Sequence, residues 1–97
     1  MTIYAKILTE IKILYENKRE VSVISMKIYY IILEHMLKIN TNKGYNHDET
    51  KIYEISSLCA DNIECILKNA INLNFYYTIE EITDMIYKLI ITNIKYL

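Results

Sequence analysis

The stretch Tyr76–Leu97, YYTIEEITDMIYKLIITNIKYL, decides how the rest of the chain is read. Thr78 followed three residues later by Glu81 spells a capping box. The threonine hydroxyl can accept from the Glu81 N–H while the glutamate reaches back to the Thr78 N–H, and Tyr77 with Ile82 can form the accompanying hydrophobic staple. Glu80, Glu81 and Asp84 fall at the positive end of the helix dipole, with Lys88 and Lys95 towards its negative end. A helix over Thr78–Lys95 is therefore specified locally. Its far end is unusual, because Leu89, Ile90, Ile91, Ile94, Tyr96 and Leu97 leave almost no polar face. Such an end must be covered by the chain itself or by a partner.

Working outward, Glu49–Asn72 carries Ile52, Ile55, Cys59, Ile63, Ile66, Ala70 and Leu73 as a continuous helical stripe, with Glu54, Asp61, Glu64 and Lys68 on the wetter side. A short connection, Asn72-Leu73-Asn74-Phe75, leads from it into the capping box without using glycine. Before it, Asn40–Thr50 holds the lone glycine, Gly44, and Asp48 as an N-cap, and reads as a loop. Val21–Lys38 is apolar nearly all round. Val21, Ile24, Ile28, Ile31 and Leu37 are expected to face the core, while Tyr29, Tyr30, Ile32, Leu33 and Met36 widen the apolar surface. Its β-branched residues would suit a strand, but the run is too long for one and has no internal turn. At the amino end, Thr2–Glu16 repeats Ile3, Ile7, Ile11 and Leu14 at helical spacing, and the charged run Glu16–Glu20 closes it as a solvated link.

The fold expected is all-α, an antiparallel up-down four-helix bundle in a single domain over residues 1–97, with helices at about 2–16, 21–38, 49–72 and 78–95. A single Gly and no Pro among 97 residues leave too little turn chemistry for an all-β fold. The net charge of −1 comes from 11 basic and 12 acidic residues spread along the chain, so the basic patch of a nucleic-acid binder is missing. The longest uncharged runs fall far short of the ~20 residues a spanning helix needs. Met1–Tyr15 has charges throughout and no small-residue cleavage site, unlike a secretory signal. The expected location is cytoplasmic, and two cysteines without a repeating pattern agree with a reducing compartment.

Chemistry-bearing residues are sparse. His35 and His47 are the only imidazoles, on a helix and in a loop. Cys59 and Cys65 are six residues apart, about 120° around a helix, so they point in different directions. One is expected to be buried and the other partly buried. A zinc site would need more ligands at short spacing, and no metal or cofactor is expected. No Gly-rich phosphate loop or strand–turn–helix elbow accompanies the cysteines or histidines, and the Glu80-Glu81 pair is explained by the helix start. The expectation is a protein that is not an enzyme. Tyr53, Phe75, Tyr76, Tyr77, Tyr87 and Tyr96 crowd the second half, either as bundle packing or as a rim of binding anchors.

The carboxyl half resembles the immunity proteins of pediocin-like bacteriocins. The likeness rests on Asn62-Ile63-Glu64, on the apolar–polar rhythm around Asn72-Leu73-Asn74, and on Leu89–Ile91 followed by Thr92-Asn93-Ile94-Lys95-Tyr96, where several members have Ser-Asn-Ile-Arg-Tyr. The amino half agrees in helical pattern and length only. It lacks the basic, Trp- and Gly-rich start of some members, and Leu97 stands where some continue with Gly-Tyr. The resemblance implies an antiparallel four-helix bundle at the inner face of the membrane. It also implies protection of a bacteriocin producer at the mannose phosphotransferase permease carrying bound bacteriocin, with specificity in the carboxyl half. On that reading the contact set is Tyr87, Ile91, Ile94, Lys95, Tyr96 and Leu97, with Thr92 and Asn93 shaping the turn off the helix. The rival reading is a small virus- or phage-encoded helical inhibitor or host-modulating protein, Bcl-2-like or other. A third is a homodimer that simply buries helices two and four together, and the chain is expected to be a monomer or a weak homodimer.

Overall fold

The computed structural model describes residues 1–17, 20–42 and 49–95. Four helices, α1 (Ile3–Asn17), α2 (Val21–Asn42), α3 (Glu49–Asn72) and α4 (Ile79–Ile94), form an antiparallel up-down bundle. The bundle extends 43 Å along its long axis, against about 36 Å for the 24 residues of α3 at 1.5 Å each. The helices therefore lie along that axis. Each packs chiefly on two others: α1 on α2 and α4, and α3 on α2 and α4.

Local chemistry sets several ends. Thr2 caps α1 by accepting from the Ala5 N–H at 3.1 Å, and the helix begins one residue later. Before α4, Glu81 N–H donates to Thr78 Oγ1 at 3.1 Å and Thr78 N–H donates to Glu81 Oε1 at 3.0 Å, completing the capping box. The end of α3 is closed without glycine. Phe75 N–H donates to Ala70 O at 2.8 Å and Asn74 N–H to Ile71 O at 2.9 Å, the paired bonds of a Schellman motif. Asn74 and Phe75 both take positive φ, 58° and 57°. Asparagine tolerates that region, but a bulky aromatic rarely enters it. Phe75 is held there by Tyr15 of α1, whose ring centroid lies 4.5 Å away and whose hydroxyl donates to Tyr77 O at 2.8 Å. Burial, with the Glu81 charge as a lesser cause, raises the Tyr15 phenol pKa and keeps it a donor.

The core is a single cluster. α1 contributes Ile7, Ile11 and Leu14, as its periodicity predicts, with Ile3 packed at the edge. α2 corrects the expectation in detail: Ile24, Ile28, Ile32 and Met36 are fully buried, while Ile31 and Leu37 are only half-buried. Residues four apart advance about 40° around a helix, so this row migrates from the α1 side to the α3 side as it climbs. There Ser56 Oγ donates to Met36 Sδ at 3.3 Å across the α2–α3 seam. α2 also runs four residues beyond the expected Lys38. In α3 the buried row takes Ser56 and Leu67 rather than Ile55 and Ile66, which are half-buried against the core, and Leu73 is exposed. No helix among the described residues is long and apolar enough to cross a membrane.

Candidate functional site

The expected site is the last turns of α4, and the bundle uses much of their apolar surface. Ile82, Thr83, Ile86 and Ile90 are buried, and Leu89 and Ile94 pack half-buried against the core. Thr83 is accommodated because its hydroxyl donates to Ile79 O at 2.7 Å. Ile91 alone among the large hydrophobics from Leu89 to Ile94 is exposed, at 37%. With Lys88, Thr92 and Lys95 it forms the outer strip of the last two turns.

The remaining expected residues divide three ways. Tyr87 is half-buried and turned to α1, its ring meeting Tyr4 edge-on with centroids 5.4 Å apart. Tyr4 in turn donates to Asp84 Oδ1 at 2.7 Å, and this bond to a carboxylate raises the Tyr4 phenol pKa, with desolvation a smaller cause. Thr92 and Asn93 do not form a turn. Both are helical, and their side chains bond back four residues, Thr92 Oγ1 donating to Lys88 O and Asn93 Nδ2 to Leu89 O, each at 2.8 Å. These are the back-bonds of helical side chains to carbonyls one turn earlier, and Lys95 follows as the C-cap in helical conformation. Tyr96 and Leu97 lie outside the described residues. The strip that α4 presents is thus a cationic rim, Lys88 and Lys95, around one isoleucine.

Elsewhere the nucleophiles and ligands stay apart. Cys59 is fully buried, and burial pushes its thiol up to about 11, leaving it un-ionised and inert at neutral pH. Cys65 is exposed, more so than expected, because six residues of helix carry it to the outer side of α3. His35 is half-buried beside Lys6 and Lys38; desolvation first, then those two charges, lowers its pKa. His47 lies outside the described residues. No group of three potential metal ligands occurs among the described residues.

The described aromatic residues of the second half do not form one rim. Phe75 serves the α3 end, Tyr76 stacks edge-on with Tyr77, Tyr87 meets α1, and Tyr53 stands exposed on α3. An apolar cleft between α3 and α4 is lined by Ile66, Leu73, Tyr77, Ile82 and Met85, at the opposite end of α4 from the expected site. Sequence reasoning saw α2 as apolar nearly all round but did not single out Val23 and Met26, which with Tyr30 stand exposed on its outer face. Their spacing of three and then four residues is the signal that could have found them. No family model, curated protein or solved structure matches this chain.

Proposed function

We propose that the chain is an immunity protein of the pediocin-like type, acting in the cytoplasm by binding and without catalysis. In this reading the outer strip of α4 docks at the inner face of the receptor permease carrying bound bacteriocin and blocks the opened pore. The observation that carries the proposal is Ile91, exposed between Lys88 and Lys95 on the last turns of α4. An isolated apolar anchor with a polar rim is the arrangement that concentrates binding energy in protein interfaces. The two lysines suit an approach to the anionic cytoplasmic leaflet, where each basic residue contributes about 1 kcal/mol near the surface. The four-helix bundle agrees with the fold the resemblance implies.

The test expresses the protein in cells sensitive to a pediocin-like bacteriocin and compares it with two variants. One lacks residues 94–97, and the other carries Ile91→Asp with Lys95→Glu. Circular dichroism first confirms that each variant keeps its helices, since Ile94 also packs against the core. Loss of protection in both variants supports the proposal. Full protection by a folded variant carrying Ile91→Asp and Lys95→Glu sinks the α4 assignment, and no protection by the parent chain against any such bacteriocin sinks the immunity reading.

A further inference from the structure

α2 carries a second apolar row that the bundle uses only in part. Val23, Met26, Tyr30, Leu33 and Leu37 follow one another at intervals of three, four, three and four residues, the a/d spacing of a coiled-coil seam. At 100° per residue they fall within about 80° of arc, on the side of the helix opposite the buried row Ile24, Ile28, Ile32 and Met36. Val23, Met26 and Tyr30 are 42%, 61% and 60% exposed, and Leu33 and Leu37 are half-buried, each packing in part against the core. The helix is therefore apolar on two faces, one buried and the other covered only at Leu33 and Leu37.

We propose that the outer row is the contact of a homodimer, in which α2 of two copies lie antiparallel across a two-fold axis passing between Tyr30 and Leu33. The charges beside the row select this occupant and this direction. In an antiparallel seam the core layers pair an a residue with a d residue, so Met26 meets the other copy's Leu37 and Tyr30 meets the other copy's Leu33. The same register places Lys27 opposite the other copy's Glu34, and the two-fold axis makes that pair twice. A parallel seam sets Lys27 against Ser22 and Glu34 against Tyr29, with no opposite charges. Lys27 is held only loosely within its own chain: its side chain is 51% exposed, and its ion pair with Glu10 Oε2 spans 3.9 Å, too long for a hydrogen bond. Glu34, on the exposed side of α2, holds Lys38 through one oxygen at 3.0 Å, leaving the other for a second cation. Four core layers over about 17 Å of helix make a small contact, consistent with a reversible rather than an obligate dimer.

Sedimentation equilibrium of the full chain, from micromolar to millimolar, tests the proposal. The parent chain is expected to pass reversibly from monomer to dimer. Tyr30→Lys, which sets two cations near the axis, is expected to raise the dissociation constant at least about tenfold with an unchanged circular dichroism spectrum. Lys27→Glu weakens the dimer by opposing two carboxylates, and Lys27→Glu combined with Glu34→Lys restores it, because the exchange recreates the pair with its signs reversed. A parent chain that stays monomeric up to millimolar concentration overturns the proposal. So does a dimer indifferent to Tyr30→Lys, or one that the combined exchange fails to restore relative to Lys27→Glu alone.

Discussion

α2 and α4 look alike in composition, both Ile-rich and apolar on nearly every side, yet the bundle treats them differently. α4 is held by its two neighbours and shows the solvent only Met85 and Ile91 among its large hydrophobics, at 40% and 37%. α2 buries a row of equal quality and still shows the solvent Val23, Met26 and Tyr30. Total hydrophobicity cannot separate the two cases. Helical phase can: Leu89 and Ile94 of α4 sit beside its buried row and are drawn in, whereas Val23, Met26 and Tyr30 of α2 sit opposite its buried row and are left out.

The largest effects come from asking whether each buried row carries its helix. Ile86→Ala in α4 and Ile28→Ala in α2 are each expected to lower unfolding free energy by about 2–4 kcal/mol, as large-to-small changes in a filled core do. Their outward counterparts, Ile91→Ala and Tyr30→Ala, are expected to stay within about 0.5 kcal/mol when urea unfolding is followed in dilute solution. A loss at Ile91 as large as that at Ile86 would erase the distinction between inner and outer residues of α4.

A smaller effect sharpens the comparison at the helix starts. Thr78→Ala removes a side-chain acceptor from the Glu81 N–H and is expected to cost about 1 kcal/mol. α2 starts behind Glu20, whose backbone carbonyl receives the Val23 and Ile24 N–H groups. Glu20→Ala leaves that carbonyl in place, so the same denaturation measurement should move by a few tenths of a kcal/mol at most. Equal losses would mean that α2, like α4, is fixed by its own first turn.

The smallest effect is a pH slope that belongs to α2. His35 has its pKa lowered from 6.5, chiefly by desolvation, so the fold prefers the neutral imidazole. As pH falls through about 6.5 the unfolded chain takes up that proton first, and stability is lost on acidification. Glu34, whose pKa is lowered from 4.5 by its bond to Lys38, loses its contribution only further down. His35→Gln should therefore flatten the stability profile just below pH 6.5 and leave the steeper acid limb unchanged.

The fold was legible because its signals were local or periodic. The capping box, the α1 stripe and the length of each apolar run state helix without help from the rest of the chain. What stayed hidden depends on where neighbours stand. Nothing in the isolated α2 pattern says that Met36 rather than Leu37 faces α3, nor in α3 that Ser56 displaces Ile55, until the two helices are laid together. Thr83 and Ser56, polar residues that no apolar stripe includes, are buried all the same, and bonds to Ile79 O and to Met36 Sδ satisfy them. The candidate site was legible as an excess of apolar residues at the end of α4. That Thr92 and Asn93 would spend their side chains on carbonyls one turn back could not be read from a chain that also suits a turn there.

The pairing of α1 with α4, fixed at one end by Tyr4 with Asp84 and Tyr87 and at the other by Tyr15 with Phe75 and Tyr77, bears on how the protein is made. Synthesis at roughly 5–20 residues per second keeps α1 waiting several seconds for its partner to be translated. Over that interval Ile7, Ile11 and Leu14 have only α2 to lean on, while α2 and α3 are already complete and adjacent in sequence. Local pairing favours the middle of the chain, and the first helix to be made is among the last to find its place.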